Sequence, residues 1–264
     1  MDRKIKKIII KTYFDSIRQK INGILSIKNK KEKRGETMQY YNLKVVLLLK
    51  RELKQEETYE KLGDFIAFAM LKDRELKQLH ERSGYKNYVF CNLYPVQKEG
   101  VYLKGNLYTF DIRFIQIELA MKMKQVIHLT EDENFKVIVT SLQTHEQRKI
   151  KTLITLTPTV ITTDKGDYRV ENKLEFVKNR ITANIQKKYN QTYQIEARVD
   201  FIEKIEQINR IPIKIPYKQF HILANKYEMT IKPDPVSQDL AYLALSIGVA
   251  EKNSSLGMGF CKAR

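Results

Sequence analysis

The sequence predicts an α+β protein built from two ferredoxin-like (RRM-like) units in tandem, each with the order β-α-β-β-α-β, behind a basic N-terminal extension. Three observations predict it. Strand and helix periodicities alternate in that order twice, once on each side of the polar stretch 144–151, THEQRKIK, which has no apolar period. The chain has 264 residues, 42% of them hydrophobic, enough for two units of ordinary size with real cores. Only the order of elements repeats; there is no repeat of residues. The expected organisation is an extension over 1–37, a first domain over 38–147 and a second over 148–264.

Each element has its own signal. Met38 opens a strand at about 39–50, QYYNLKVVLLLK. A helix is predicted over 59–83, with Leu62, Phe65, Ile66, Ala69 and Leu76 on one face and Gly84 as its stop. Strands follow at 88–96 and 101–114 around the turn-like QKEG, then a helix at 115–127 and a strand at 135–143. The second set starts with a strand at 152–163 and a helix at 171–190, where Leu174, Val177, Ile181 and Ile185 are in register. Strand-like segments at 194–202 and 219–231 precede a helix at 235–247. Asp234 suits its N-cap, Pro235 its first turn and Gly248 its end. A strand at 257–262 closes the chain.

Charge predicts the kind of partner. Lys and Arg number 48 against 31 Asp and Glu, a formal net charge of +17, which points to a polyanion. Residues 1–37 carry 12 basic and 4 acidic side chains, net +8, and leave +9 for the body. Ile5, Ile8, Ile9, Phe14, Ile17, Ile21 and Leu25 approximate a helical stripe there, followed by KNKKEKR. This segment reads either as a basic helix and arm or as an upstream extension the fold does not use. Fifteen Tyr and 11 Phe offer rings for stacking on bases, although most rings of a globular chain belong to its core. Cys91 and Cys261 form neither a disulfide framework nor a zinc pattern, which fits a cytoplasmic protein. No run approaches the length of a membrane span, and no signal-peptide core is present, so no membrane partner is expected.

The most specific stretch is GVAEKNSSLGMGF over 248–260, directly after a helix, with three of the chain's ten glycines. Glycine permits positive φ and close backbone approach to a bound group. The loop is neither a Walker loop nor a dinucleotide fingerprint, which follows a strand and precedes a helix. It is either a ligand-contacting loop or a helix-to-strand connection that needs glycine. Lys252 is its candidate phosphate contact against the reading of a solvated lysine, and Arg82, Lys262 and Arg264 stand likewise. Of the histidines, His80, His128, His145 and His221, no pair has metal-ligand spacing beside a carboxylate, so neither a metal nor another cofactor is expected. His128 and His145 read as ordinary residues and His221 as a packing residue. His80 lies eighteen residues beyond Leu62, five turns along the predicted helix, in its last turn. A helix C-terminus favours the protonated imidazole and is expected to raise its pKa.

A helix, then a glycine-rich loop, then a terminal strand resembles the CRISPR-associated repeat-processing endoribonucleases of the RAMP superfamily. YLKGNLYTFDIRF, LTPTVITT and FVKNRITANIQKKYNQ support the resemblance, which covers 38–264; Ala250 departs from the family's glycine. It implies two tandem ferredoxin-like domains, metal-independent cleavage of the precursor transcript within each repeat, and prokaryotic cytoplasm as the location. The partners it implies are the repeat RNA and, further, other subunits of a CRISPR effector complex, the protein itself being a monomer or a homodimer. Leu79-His80-Glu81 is where the family places its catalytic histidine, and Lys86 where several members carry an assisting lysine. Where some members use a helix tyrosine this chain has Phe65, so Tyr85 or Tyr59 would substitute. Gly248, Lys252, Ser254, Gly257 and Gly259 of the loop, with Arg82, are the implied RNA contacts. Two rivals stand beside this reading: a RAMP protein that only holds RNA, and a general basic nucleic-acid-binding module.

Overall fold

Gln39–Leu49 forms strand β1, with Leu43, Val45, Leu47 and Leu49 fully buried along one face. That face can be covered on both flanks only if β1 is central, and it is. The computed structural model describes residues 38–162 and 174–264. The predicted arm over 1–37 and the first residues of the predicted helix at 171–190 lie outside the described residues.

β1 pairs antiparallel with β5 (Leu107–Phe114) and with β6 (Phe135–Glu146), and β3 (Tyr88–Phe90) pairs with β5. The sheet order β3-β5-β1-β6 is the ferredoxin-like arrangement. A two-residue ladder, β2 (Leu53–Lys54) with β4 (Val101–Tyr102), closes the turn before β5. The helix predicted over 59–83 is two helices, α1 (Thr58–Met70) and α2 (Arg74–Glu81). Asp73 breaks it: its backbone is extended and its carboxylate accepts from the Glu75 and Leu76 amides, each at 2.9 Å. An N-cap of this strength restarts a helix inside an apolar stripe. Leu62 and His80 therefore belong to different helices, and the five-turn spacing does not apply. α3 (Ile117–His128) completes the layer by burying Ala120, Met123 and Ile127.

Between β6 and β7 (Thr152–Thr155) runs the short link 147–151. β7 is followed by α4 (Leu174–Tyr193), β8 (Ile202–Gln207) and the hairpin β9 (Ile213–Tyr217) and β10 (Phe220–Ala224). Then come β11 (Tyr227–Ile231), α5 (Pro235–Ile247), the short α6 (Asn253–Leu256) and β12 (Cys261–Ala263). The sheet order β12-β7-β11-β8 repeats the first sheet's topology. The chain thus carries two tandem ferredoxin-like folds.

Several segments depart from expectation, the strand expected at 88–96 covering only Tyr88–Phe90 and the one at 152–163 only Thr152–Thr155. The alternation over 219–231 spans two strands, and β9–β10 forms a separate hairpin whose Ile215 packs with Tyr59, Leu256 and Met258. The strand expected at 194–202 begins only at Ile202. Gln194 adopts φ 54°, and the Asn190 side chain takes the Ala197 amide at 2.8 Å, which holds the segment off the sheet. The last strand starts at Cys261 because Gly257 and Gly259 sit at φ 66° and 69°.

Arg113 of β5 ties the second fold to the first. Its Nη1 donates to the carbonyls of Leu245 at 2.9 Å and Cys261 at 2.7 Å, while its guanidinium lies 3.9 Å from the Phe260 ring centroid.

Candidate functional site

The turn after α2 and the loop after α5 face each other across a cavity of about 430 Å³. One wall is formed by Arg82, Gly84, Tyr85 and Lys86, the other by Ala250 to Ser255, with Lys188 of α4 between them. Arg82, Lys86 and Lys252 bring three cationic side chains to its lining against the carboxylate of Glu251, and Lys188 is buried behind them. Such a wall attracts anions. A smaller cavity of about 260 Å³, lined by Arg180, Asn184 and Lys187, shares Tyr85, Ala250 and Glu251 with it.

The first wall follows from how α2 ends. The helix stops at Glu81, and Gly84, at φ 91°, turns the chain back toward β3. Arg82 Nη2 donates to the Tyr85 carbonyl at 2.7 Å, and Lys86 Nζ donates to the His80 carbonyl. His80 and Lys86 are thereby neighbours, while His80 itself is not among the residues lining the cavity. Burial, and then the charge of Lys86, lower the pKa of His80. This corrects the expectation of a raised value: desolvation outweighs the dipole of a two-turn helix. Burial, with Arg82 behind it, also lowers Lys86. Tyr85, whose hydroxyl accepts from Asn184 Nδ2 at 3.3 Å, is raised by burial and then by Glu251.

The second wall is the glycine-rich loop. Lys252 sits at φ 60° with its Nζ 3.3 Å from the Tyr217 hydroxyl and 4.5 Å from that ring's centroid. Ser254 lines the cavity, and its carbonyl accepts from the Tyr88 hydroxyl at 3.0 Å. The three loop glycines are all buried. A Cβ on Gly259 would stand 2.1 Å from the Val249 carbonyl oxygen, and one on Gly257 2.5 Å from that of Phe90. Gly248, at φ 81°, would meet Asn253 and Val89. The close approach that glycine permits here is to the protein's own backbone. The loop also presses on α1, since a Cβ on Gly63 would lie 2.1 Å from the Ser255 carbonyl oxygen.

The structure therefore gathers Arg82, Tyr85, Lys86, Lys252 and Ser254 around one cavity and places Gly248, Gly257 and Gly259 beneath it. Tyr59 is buried in the core formed with the hairpin, and burial pushes its hydroxyl up to about 12. Phe65 is core as well. His145 stacks on Tyr40 at 4.7 Å, His221 lies on β10, and His128 ends α3. Lys262 belongs to β12, and Arg264 pairs through its backbone with Thr152. Among the described residues no group of three or more His, Cys, Asp or Glu is placed to hold a metal ion, and no helix is long and apolar enough to cross a membrane. Sequence reasoning missed Lys188. It is 2% exposed and meets the carbonyls of Gly248 and Ala250, each at 3.0 Å, and Asn253 Oδ1 at 2.7 Å.

The chain carries two ferredoxin-like folds, with the glycine loop inside the second. Residues 140–263 match the family described as CRISPR associated protein Cas6, C-terminal. The resemblance to the CRISPR repeat-processing proteins is supported by that match and by the likeness of fold. The fold is similar to that of a solved "CRISPR associated protein Cas6", at 18% identity and a TM-score of 0.64, covering 85% of this chain and 99% of that one. A second structure, titled "An RAMP protein binding different RNA substrates", has 15% identity, a TM-score of 0.66 and the same coverages. A third, of a Cas6-related gene from Pyrococcus furiosus, has 17% identity, a TM-score of 0.63 and coverages of 87% and 99%. No curated protein sequence matches the chain.

Proposed function

We propose that the protein is a metal-independent endoribonuclease that cleaves precursor CRISPR RNA within the repeat. The observation that carries the proposal is a cavity lined by Arg82, Lys86 and Lys252, with the glycine-rich loop as its far wall and His80 adjoining it through Lys86. RNA brings its own nucleophile, the 2′-hydroxyl next to the scissile phosphate. Catalysis then consists of aligning that hydroxyl, removing its proton, stabilising the phosphoryl charge and protonating the 5′-oxygen.

The lowered pKa of His80 favours the neutral imidazole near pH 7, the form that accepts the 2′-hydroxyl proton. Lys86, close by and with its own pKa lowered, stabilises the phosphoryl oxygens and has a proton within easier reach of the leaving oxygen. The bond from the 2′-oxygen to phosphorus forms as the bond to the 5′-oxygen breaks. The products are a 2′,3′-cyclic phosphate and a 5′-hydroxyl. Tyr85, held neutral, orients rather than ionises, and Arg82 and Lys252 contact flanking phosphates.

A single-turnover assay on the repeat RNA of the neighbouring CRISPR array tests this. His80→Ala is expected to abolish or severely slow cleavage with affinity nearly intact, because proton transfer matters at the transition state and little in the ground state. A 2′-deoxy substitution at the scissile position is expected to block cleavage without blocking binding, and EDTA to change nothing. Cutting of the deoxy substrate, or inhibition by EDTA, would overturn the mechanism. Binding without cleavage by the wild-type chain would leave an RNA-holding RAMP protein.

A further inference from the structure

The backbone between α5 and β12 is costly to hold. Ala250 and Lys252 adopt φ 55° and 60° without being glycine, between glycines at 248, 257 and 259 that do the same. Chain reversals of this kind turn carbonyls inward, where no strand partner meets them. Two of them, Gly248 and Ala250, are taken by the Lys188 ammonium, and its third proton goes to Asn253 Oδ1. The three donors of a lysine are thus spent on the loop, each at 2.7 to 3.0 Å. The Asn253 amide nitrogen carries the tie onward to the carbonyls of Val249 and Met258, each at 2.8 Å.

We propose that Lys188 is a positioning residue: its buried ammonium latches the glycine-rich loop in the conformation that presents Lys252 and Ser254 to RNA across from Lys86. The proposal rests on the reading of the cavity as an RNA site. A lysine buried only to fill space would leave its protons unpaired; this one faces three acceptors from the segment that forms one wall. Burial lowers its pKa to about 7, with Cys261 and Glu251 acting against that shift. The ring of Tyr85 lies 5.4 Å from the ammonium, so the latch also adjoins the wall that carries Lys86.

The test compares the full chain with Lys188→Met, which keeps the stem and removes the donors, and with Asn253→Ala, which removes one acceptor and the onward tie. Backbone hydrogen exchange over residues 248–258, thermal melting, repeat-RNA affinity and single-turnover cleavage are measured for each. Exchange is expected to speed up in that segment more than elsewhere. Affinity is expected to fall about tenfold, as loss of a charge-assisted bond predicts, with a larger loss in Kd than in the rate at saturating RNA. Asn253→Ala is expected to move the same quantities less far, and it carries the test if Lys188→Met does not fold. Unchanged loop exchange and unchanged affinity in a folded variant would overturn the latch. Failure of the wild-type chain to prefer the repeat would overturn the proposed function instead, and the exchange measurement would still decide the latch.

Discussion

At the scale of residues, the informative quantities are the two depressed pKa values beside the cavity. His80 titrates below the ordinary 6.5, first through burial and then through the charge of Lys86. A base with a lowered pKa stays neutral, and so active, down to that lowered value, and loses activity as pH falls through it. The acid limb of the single-turnover rate is therefore expected below pH 6.5. Lys86→Met removes the smaller of the two lowering causes, so the limb is expected to move to higher pH, in addition to a drop in rate. A limb that does not move would show that Lys86 does not act on the histidine. Gly259→Ala tests the other wall. At φ 69°, with a backbone oxygen 2.1 Å from the new Cβ, the variant is expected to lose at least about 1–3 kcal/mol of stability from the backbone strain alone. Denaturant titration reads it. Gly257→Val is expected to melt lower as well as bind more weakly.

Elements differ in how plainly their residues announce them. β1 and α5 were legible because their signals are local: an unbroken alternation in one, and in the other Asp234, Pro235 and Gly248 at the ends. The break between α1 and α2 was not, since Asp73 sits inside an apolar stripe whose period continues across it. Here capping chemistry outweighs periodicity. Asp73→Ala is expected to cost about 1 kcal/mol and to loosen α2, which carries His80, so cleavage should fall with thermal stability. The β9–β10 hairpin was hidden because its strands and β11 share one alternation, and only the long-range contact of Ile215 with Tyr59 separates them. His80, Lys86 and the glycine loop were named by resemblance, and Lys86 and the loop line the cavity. Lys188 was not, because a lysine on a polar helix reads as solvated until the loop that covers it is placed. That the loop's glycines lie beneath the cavity was equally out of reach, since it depends on Phe90 and Val249, one distant in sequence and the other across the loop.

At the scale of the whole molecule, Gln39–Arg264 packs as one unit, with Arg113 donating from the first sheet to two carbonyls of the second half. We propose domain limits at residue 38 and near 147. A chain starting at Met38 is expected to fold and to cleave at an undiminished rate, with affinity reduced non-specifically by the loss of the extension's net +8. A folded chain that no longer cuts would place the extension in the site. Repeat binding is expected to weaken with salt, each neutralised phosphate contributing about −0.7 to the slope of log K against log salt. A flat response would contradict the cationic cavity as the binding surface.

The contact of Gly63 with Ser255 bears on modularity. Two folds of the same topology suggest interchangeable halves, yet the missing side chain on one half is shaped to a carbonyl of the other. An exchange of the C-terminal half with that of a relative would therefore import a loop cut for a different helix surface. A chimaera is expected to fold best when the residues at 63 and 90 come from the same source as its C-terminal half.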